Sequence, residues 1–214
     1  MATLKLYGVS TATCTRRVAT VLHELKVPFE LVEVPYKNGE IKTPEFLKFQ
    51  PFGQVPYLDD NGFILYESRA ICRYVAAKYA SSALLPTEHQ ANALFEQAAS
   101  IEFANFEPSA SKAGLQLYMS KQGQPCDENV VKEQLAVLEK KLEAYELILS
   151  RQRYLAGETL TLADLFHLPY AAYVTYGGSD IMTRRPNVAR WFNELISRPA
   201  WLAYQDGVKT TTVY

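Results

Sequence analysis

Gln50-Pro-Phe-Gly-Gln-Val-Pro-Tyr-Leu-Asp-Asp-Asn-Gly-Phe-Ile-Leu-Tyr-Glu-Ser-Arg-Ala-Ile-Cys-Arg-Tyr74 is the stretch from which the fold is read. Val55 to Leu58 is a short apolar run interrupted by Pro56. Asp59-Asp60-Asn61-Gly62 is turn chemistry, because Asn-Gly accepts positive φ. Phe63 to Tyr66 is a second β-favouring run. Ser68 is a helix cap by residue type, and Ile71, Tyr74 and Val75 follow at helical spacing. The stretch predicts strand, tight turn, strand, helix.

Pro56 removes a ladder donor, so its strand is an edge at that point or its peptide bond is cis. Either way Val55 faces outward with unused backbone groups, to which an extended peptide could pair as an added strand. Glu67 and Ser68 stand at a helix N-terminus, where backbone N–H groups attract carboxylate. A peptide carrying a carboxylate and an amine would satisfy both places. An ordinary hairpin capped by Ser68 reads equally well from these residues alone.

Pro51-Phe-Gly-Gln-Val-Pro56 and Glu67-Ser-Arg-Ala-Ile71, at this separation, resemble the cytosolic glutathione transferases, most of all the phi class. The likeness runs over nearly the whole chain. It implies an α/β N-terminal thioredoxin-like domain, βαβ-ββα, followed by an all-α helical-bundle domain.

The rest of the chain agrees with that order. Leu4 and Leu6 alternate with Lys5 and Tyr7 in a strand. Gly8 to Thr15 is a hydroxyl-rich loop. Val18, Val21, Leu22 and Leu25 mark one helix face, and Pro28 ends it. Phe29 to Val34 is a second strand, and strand–helix–strand is a parallel crossover unit. Tyr36 to Phe49 is irregular or briefly helical. Residues 80–86 are a linker by composition, which gives a glutathione-binding domain over 1–80 and an all-α domain over 87–214. In the second, Pro108 is expected to kink or break the helix of 88–119. Val131, Leu135, Leu138, Leu142 and Tyr145 define an amphipathic helix. Thr161-Leu-Ala-Asp164 opens another with a capping-box pattern. Val188, Trp191, Phe192 and Leu195 mark a further helix, and Trp201 opens a short last one.

The chemistry expected of this family is favouring the thiolate of glutathione, since only the thiolate is a good nucleophile. A helix N-terminus with a hydroxyl donor does so by hydrogen-bonding the charged form. The helix after Gly8–Thr15 is the place, and Ser10, Thr11, Thr13 and Thr15 supply hydroxyls. Phi-class enzymes carry a catalytic serine between the Tyr-Gly and Arg-Val pairs, and counting from Tyr7-Gly8 and from Arg17-Val18 puts Ala12 there. The role then passes to Thr13, or to Thr11 or Ser10, in that order, or to backbone N–H groups and the helix dipole. Tyr7, at the end of the first strand, is a rival donor. Cys14 is a rival nucleophile for a mixed disulfide with glutathione. All these hydroxyls could equally serve only as helix caps.

By resemblance, Gln54 and Val55 hold the cysteinyl backbone, Glu67 and Ser68 the γ-glutamyl end, and Lys42 the glycine carboxylate. Ile41 replaces a residue that is more often polar. An apolar acceptor site between the domains would draw on Phe103, Phe106, Tyr118, Tyr173 and Tyr176, although aromatics at helical spacing are more often core. His23, His89 and His167 carry no functional signal, and Arg16 and Arg17 read as structural or as a subunit contact.

The 214 residues, 48% hydrophobic with net charge −1, have ordinary globular composition. No basic excess points to nucleic acid. No apolar run approaches the ~20 residues of a membrane span, and the first residues lack signal-peptide anatomy. Cys14, Cys72 and Cys126 form no metal-ligand or disulfide pattern, which argues for a reducing compartment, the cytoplasm, and against a metal. The expected function is transfer of glutathione, as co-substrate, to small hydrophobic electrophiles, or reduction of peroxides with it, by a homodimer. Two alternatives are a non-catalytic carrier of hydrophobic ligands and a thiol oxidoreductase using Cys14.

Overall fold

Among the described residues, four strands form a sheet: β1 (Leu4–Gly8), β2 (Phe29–Glu33), β3 (Tyr57–Asp60) and β4 (Phe63–Tyr66), in the spatial order β2-β1-β3-β4. The computed structural model describes residues 4–36, 39–79 and 84–214. β1 and β2 are parallel, with Leu4 opposite Phe29. β3 is antiparallel to β1 and to β4, with Leu58 opposite both Leu6 and Leu65. Asn61 (φ 56°) and Gly62 (φ 91°) make the β3–β4 turn, as their residue types predicted.

One face of this sheet carries α1 (Thr13–Glu24) and α3 (Ser68–Tyr79). Leu4, Leu6, Phe29 and Leu58 are buried there with Val18, Val21, Leu22, Ile71 and Val75. On the other face Tyr7 stacks on Tyr57 (centroids 4.4 Å apart), and Tyr57 also meets Phe46 and Phe49. Phe46 belongs to the one-turn helix α2 (Pro44–Leu47), which follows a 3-10 turn at Glu40–Lys42.

Asp60 joins the hairpin to the end of α3. Its buried Oδ2 accepts from Tyr74 Oη at 2.7 Å, Lys78 Nζ at 2.6 Å and Tyr79 Oη at 2.7 Å. Burial pushes the carboxyl pKa up, but the donors of Lys78, Tyr79 and Tyr74 outweigh it and hold it at about 2, against an ordinary 3.8. The folded value is the lower one. The contribution is therefore present above pH 4 and is lost as pH falls toward 2. Between pH 5 and pH 3 the wild type should lose about 1 kcal/mol more unfolding free energy than Asp60→Asn, as read by urea titration at both pH values. Equal losses in the two proteins would remove Asp60 from the acid sensitivity.

The chain divides into Met1–Ser82 together with Pro199–Tyr214, and Ala83–Arg198. The last sixteen residues thus depart from the expected range of 87–214 for the second domain. The physical cause is backbone pairing on the outer side of β2. Phe29 N donates to Thr211 O at 2.8 Å, and Thr211 N returns to Phe29 O at 3.0 Å. Val208 N donates to Ser10 O at 2.9 Å. Within this tail, α9 (Pro199–Leu202) presents Trp201 to the Arg16 guanidinium, 4.1 Å from the ring centroid. Of the linker expected at 80–86, residues 80–83 lie outside the described residues.

The second unit is helical: α4 (His89–Ile101), α5 (Glu107–Lys121), α6 (Glu128–Leu149), α7 (Leu162–Tyr176) and α8 (Pro186–Ile196). A π-helical turn, Glu102–Phe106, separates α4 from α5. Pro108, in the first turn of α5, marks the break as expected. α7 is the core helix, and every residue from Leu162 to Pro169 is buried. His167 is satisfied within it. Its Nδ1 lies 2.8 Å from Ala163 O, so Nδ1 donates, and Nε2 accepts from Tyr145 Oη at 3.0 Å.

Asp164 is fully buried at the start of α7. Its Oδ1 accepts from Leu155 N (3.0 Å) and Trp191 Nε1 (3.0 Å), and its Oδ2 from Thr161 N (2.9 Å) and Thr161 Oγ1 (3.1 Å). The expected reach of Asp164 back to the cap residue is present. The Trp191 and Leu155 donors extend it to α8 and to the preceding loop.

Candidate active site

Three segments of the first unit carry the residues in question. The first is the start of α1. Ala12 is its N-cap residue, extended at φ −70° and ψ 137°, with no side-chain cap. Ala12 O accepts from Arg16 N at 2.9 Å, so the helical ladder begins there and the N–H groups of Thr13, Cys14 and Thr15 form the first turn at the helix end. Thr13 and Cys14 are half-buried and Thr11 is exposed. Ser10 is committed to the sheet edge instead. Its amide donates to both Glu33 carboxylate oxygens at 3.2 Å and its hydroxyl to Glu33 Oε1 at 3.3 Å. Tyr7, the rival donor, is stacked on Tyr57 on the sheet face away from α1.

The second segment is the turn from Gln50 to Pro56. Buried Gln50 builds it. Its Oε1 accepts from Phe52 N at 2.8 Å and Gln54 N at 3.2 Å. Gly53 sits at φ +61°, and a Cβ there would come 2.5 Å from Ile41 O and 2.7 Å from Lys42 Nζ. Glycine is required on both counts. Lys42 Nζ donates to Phe52 O (3.0 Å) and Gly53 O (3.1 Å), so its charge is fixed on this turn. The Gln54 side chain is exposed. The Val55–Pro56 bond is cis. Among the described residues, no backbone hydrogen bond engages Val55.

The third segment is the start of α3. Glu67 is exposed and holds φ +68°, a left-handed conformation that costs a non-glycine residue about 1 kcal/mol. Its carbonyl accepts from Ile71 N at 2.9 Å, which makes Glu67 the cap residue and Ser68 the first residue of the helix. The sequence places the cap one residue later. Ser68 Oγ instead accepts from Arg17 Nη1 of α1 at 2.9 Å, and the same Nη1 lies 3.6 Å from Cys14 Sγ.

Residues 2–77 match the family model for the glutathione S-transferase N-terminal domain, and residues 106–199 that for the C-terminal domain. The chain belongs to the glutathione S-transferase family. A glutathione S-transferase of Hypomyces subiculosus, hmp2, is 44% identical over 93% of this chain and 96% of its own. The crystal structure of Populus trichocarpa glutathione transferase F2 superposes with a TM-score of 0.90 at 38% identity, covering 95% of this transferase and 97% of that chain. Glutathione S-transferase I from maize, solved with an atrazine glutathione conjugate, has a TM-score of 0.88 at 34% identity, covering 95% and 96%. The F designation of the poplar relative agrees with the phi-class resemblance.

In the second unit of this transferase, Tyr118 and Tyr173 stack with centroids 4.9 Å apart, and Tyr176 lies 6.1 Å from Tyr118. Phe103, on the π-helical turn, and Tyr176 are exposed. Phe106 differs from the acceptor-site expectation. It is fully buried, 4.7 Å from His167 and 6.1 Å from Tyr145 between centroids, and belongs to the core. Both phenylalanines belong to the π turn, which leaves Phe103 exposed and buries Phe106. Among the described residues, no group of three His, Cys, Asp or Glu is placed to hold a metal ion.

Sequence reasoning missed Gln50, and it read Arg17 as structural or as a subunit contact without finding its bond to Ser68. The signal for Arg17 was there: it lies four residues before Val21, on the buried face of α1, and is 1% exposed. For Gln50 there was none, because its role depends on the turn it supports.

Proposed function

We propose that this glutathione S-transferase family member conjugates the glutathione thiolate to small hydrophobic electrophiles. The observation that carries this is the start of α1. Three N–H groups, of Thr13, Cys14 and Thr15, leave a helix end whose cap residue, Ala12, offers only a methyl. Such a terminus stabilises an anion through its donors and its dipole, and a thiolate is the anion the family handles. Thr13 is the hydroxyl donor in this reading, with Thr11 second. Ser10 falls behind because Glu33 occupies its hydroxyl.

Glutathione would lie extended, with its cysteinyl backbone pairing with Val55 beside Gln54. Its γ-glutamyl ammonium would meet Glu67, its γ-glutamyl carboxylate Ser68 and the α3 N-terminus, and its glycine carboxylate Lys42. Phe103, Tyr118, Tyr173 and Tyr176 would receive the acceptor. The atrazine conjugate held by the maize relative supports a hydrophobic electrophile and a role in detoxification. A homodimer is part of the same reading, with Phe52, 63% exposed on the Gln50–Pro56 turn, as subunit anchor. Three free cysteines fit a cytoplasmic location. No helix among the described residues is long and apolar enough to cross a membrane.

Ala12 also favours a second reading, a carrier that binds glutathione or hydrophobic ligands without turnover. Formation of the aryl thioether from glutathione and 1-chloro-2,4-dinitrobenzene separates the two. The transferase reading expects saturable conjugation, with Ser68→Ala and Gln54→Ala raising the KM for glutathione. Glutathione binding without conjugation would establish the carrier instead. Light scattering should give twice the 24.2 kDa of one chain, and a mass near 24.2 kDa would refute the dimer.

A further inference from the structure

Arg17 is a buried cation that joins the start of α1 to the start of α3. Its side chain is 1% exposed, and its Nη1 donates to Ser68 Oγ at 2.9 Å and reaches Cys14 Sγ at 3.6 Å. Cys72 lies beside it, with Sγ 4.0 Å from Arg17 O, and burial pushes that thiol up to about 12, so Cys72 stays neutral.

The bond to Ser68 has a directional consequence. A serine hydroxyl has one hydrogen to give and two lone pairs to receive. With a guanidinium N–H on one lone pair, the hydroxyl hydrogen must point away from Arg17. Ser68 is the first residue of α3, and the N–H groups of that first turn lack intrahelical acceptors. The hydroxyl hydrogen and these N–H groups are therefore donors of one helix end. A cation behind the oxygen also polarises the O–H and strengthens the bond it donates.

We infer that Arg17 is the positioning residue for the γ-glutamyl carboxylate of glutathione: it acts through Ser68, holding that hydroxyl as a donor toward the anion. This rests on the reading above that the γ-glutamyl end lies at Ser68. The expected effect is confined to one functional group of the ligand, which separates it from a general structural role.

The probe is a pair of ligands, glutathione and 4-aminobutanoyl-cysteinyl-glycine, which lacks only the γ-glutamyl carboxylate. Calorimetric titration gives the ratio of their dissociation constants for the wild type, Arg17→Met, Ser68→Ala and the double variant. The wild type should prefer glutathione, and Arg17→Met should lower that preference roughly tenfold while binding the analogue as before. Ser68→Ala should do the same, and the double variant should add nothing, because the two residues act in series. If Arg17→Met weakens both ligands equally, the inference is overturned and Arg17 is a structural cation. If Ser68→Ala leaves the ratio unchanged, the assignment of the γ-glutamyl end has failed, and the Arg17 inference with it. Should Arg17→Met not fold, Arg17→Lys carries the test. It keeps the charge with a displaced donor and should give an intermediate ratio, whereas a wild-type ratio would overturn the inference.

Discussion

Asp164→Ala should lower the unfolding free energy by about 3–5 kcal/mol, a loss large enough to threaten folding at physiological temperature. The carboxylate is fully buried and takes the Leu155 N, Thr161 N and Trp191 Nε1 donors together with the Thr161 hydroxyl. Burial pushes its pKa up, and the Leu155, Thr161 and Trp191 donors pull it back. Removing the side chain leaves the two amides and the indole N–H buried without an acceptor, at about 1–3 kcal/mol each before relaxation. The hydroxyl of Thr161 can turn elsewhere. Asp164→Asn is no remedy, because whichever position its NH2 takes faces donors. Urea unfolding measures the loss. The KM for glutathione of the remaining folded protein should be unchanged, since Asp164 belongs to the second unit and serves folding. Lost activity with unchanged melting would reverse the assignment.

Ala12→Ser should raise turnover roughly tenfold and lower the pKa of bound glutathione by one to two pH units. One hydrogen bond to a charged group contributes about 1.5–3 kcal/mol. The same substitution places a capping hydroxyl at the N-cap of α1, where the wild type has none, and should stabilise the unliganded protein by up to about 1 kcal/mol. Thr13→Ala tests the other half of the argument. If Thr13 has inherited the hydroxyl role, its loss should lower turnover and raise the bound thiol's pKa by a similar amount. Superimposable titrations for wild type and both variants would mean that neither side chain reaches the sulfur. Thr11 and the backbone N–H groups of α1 would then be what remains.

The parts of this fold that could be read from sequence are those whose causes are local. The Asn61-Gly62 turn, the break at Pro108 and the reach of Asp164 to Thr161 each depend on residues within a few positions of one another. The C-terminal tail was misplaced because its pairing with Phe29 spans most of the chain, and Val208 to Val213 shows no periodicity that names a partner. In the candidate site, the motif singled out Gln54, Val55, Glu67 and Ser68, and the structure puts the first two on the Gln50–Pro56 turn and the other two at the start of α3. The Arg17–Ser68 bond was not, because a lone arginine on an apolar helix face does not announce what it meets. Ser10 and Phe106 fail for the same reason. A hydroxyl in a loop and an aromatic on a helix look available until tertiary neighbours, here Glu33 and His167, take them.

The central claim is that the start of α1 holds glutathione as its thiolate without a serine at position 12. The direct measurement is the ultraviolet thiolate absorbance of enzyme-bound glutathione against pH, in the wild type. The claim predicts half-titration roughly one to two pH units below that of free glutathione. A bound thiol that titrates like free glutathione would contradict it.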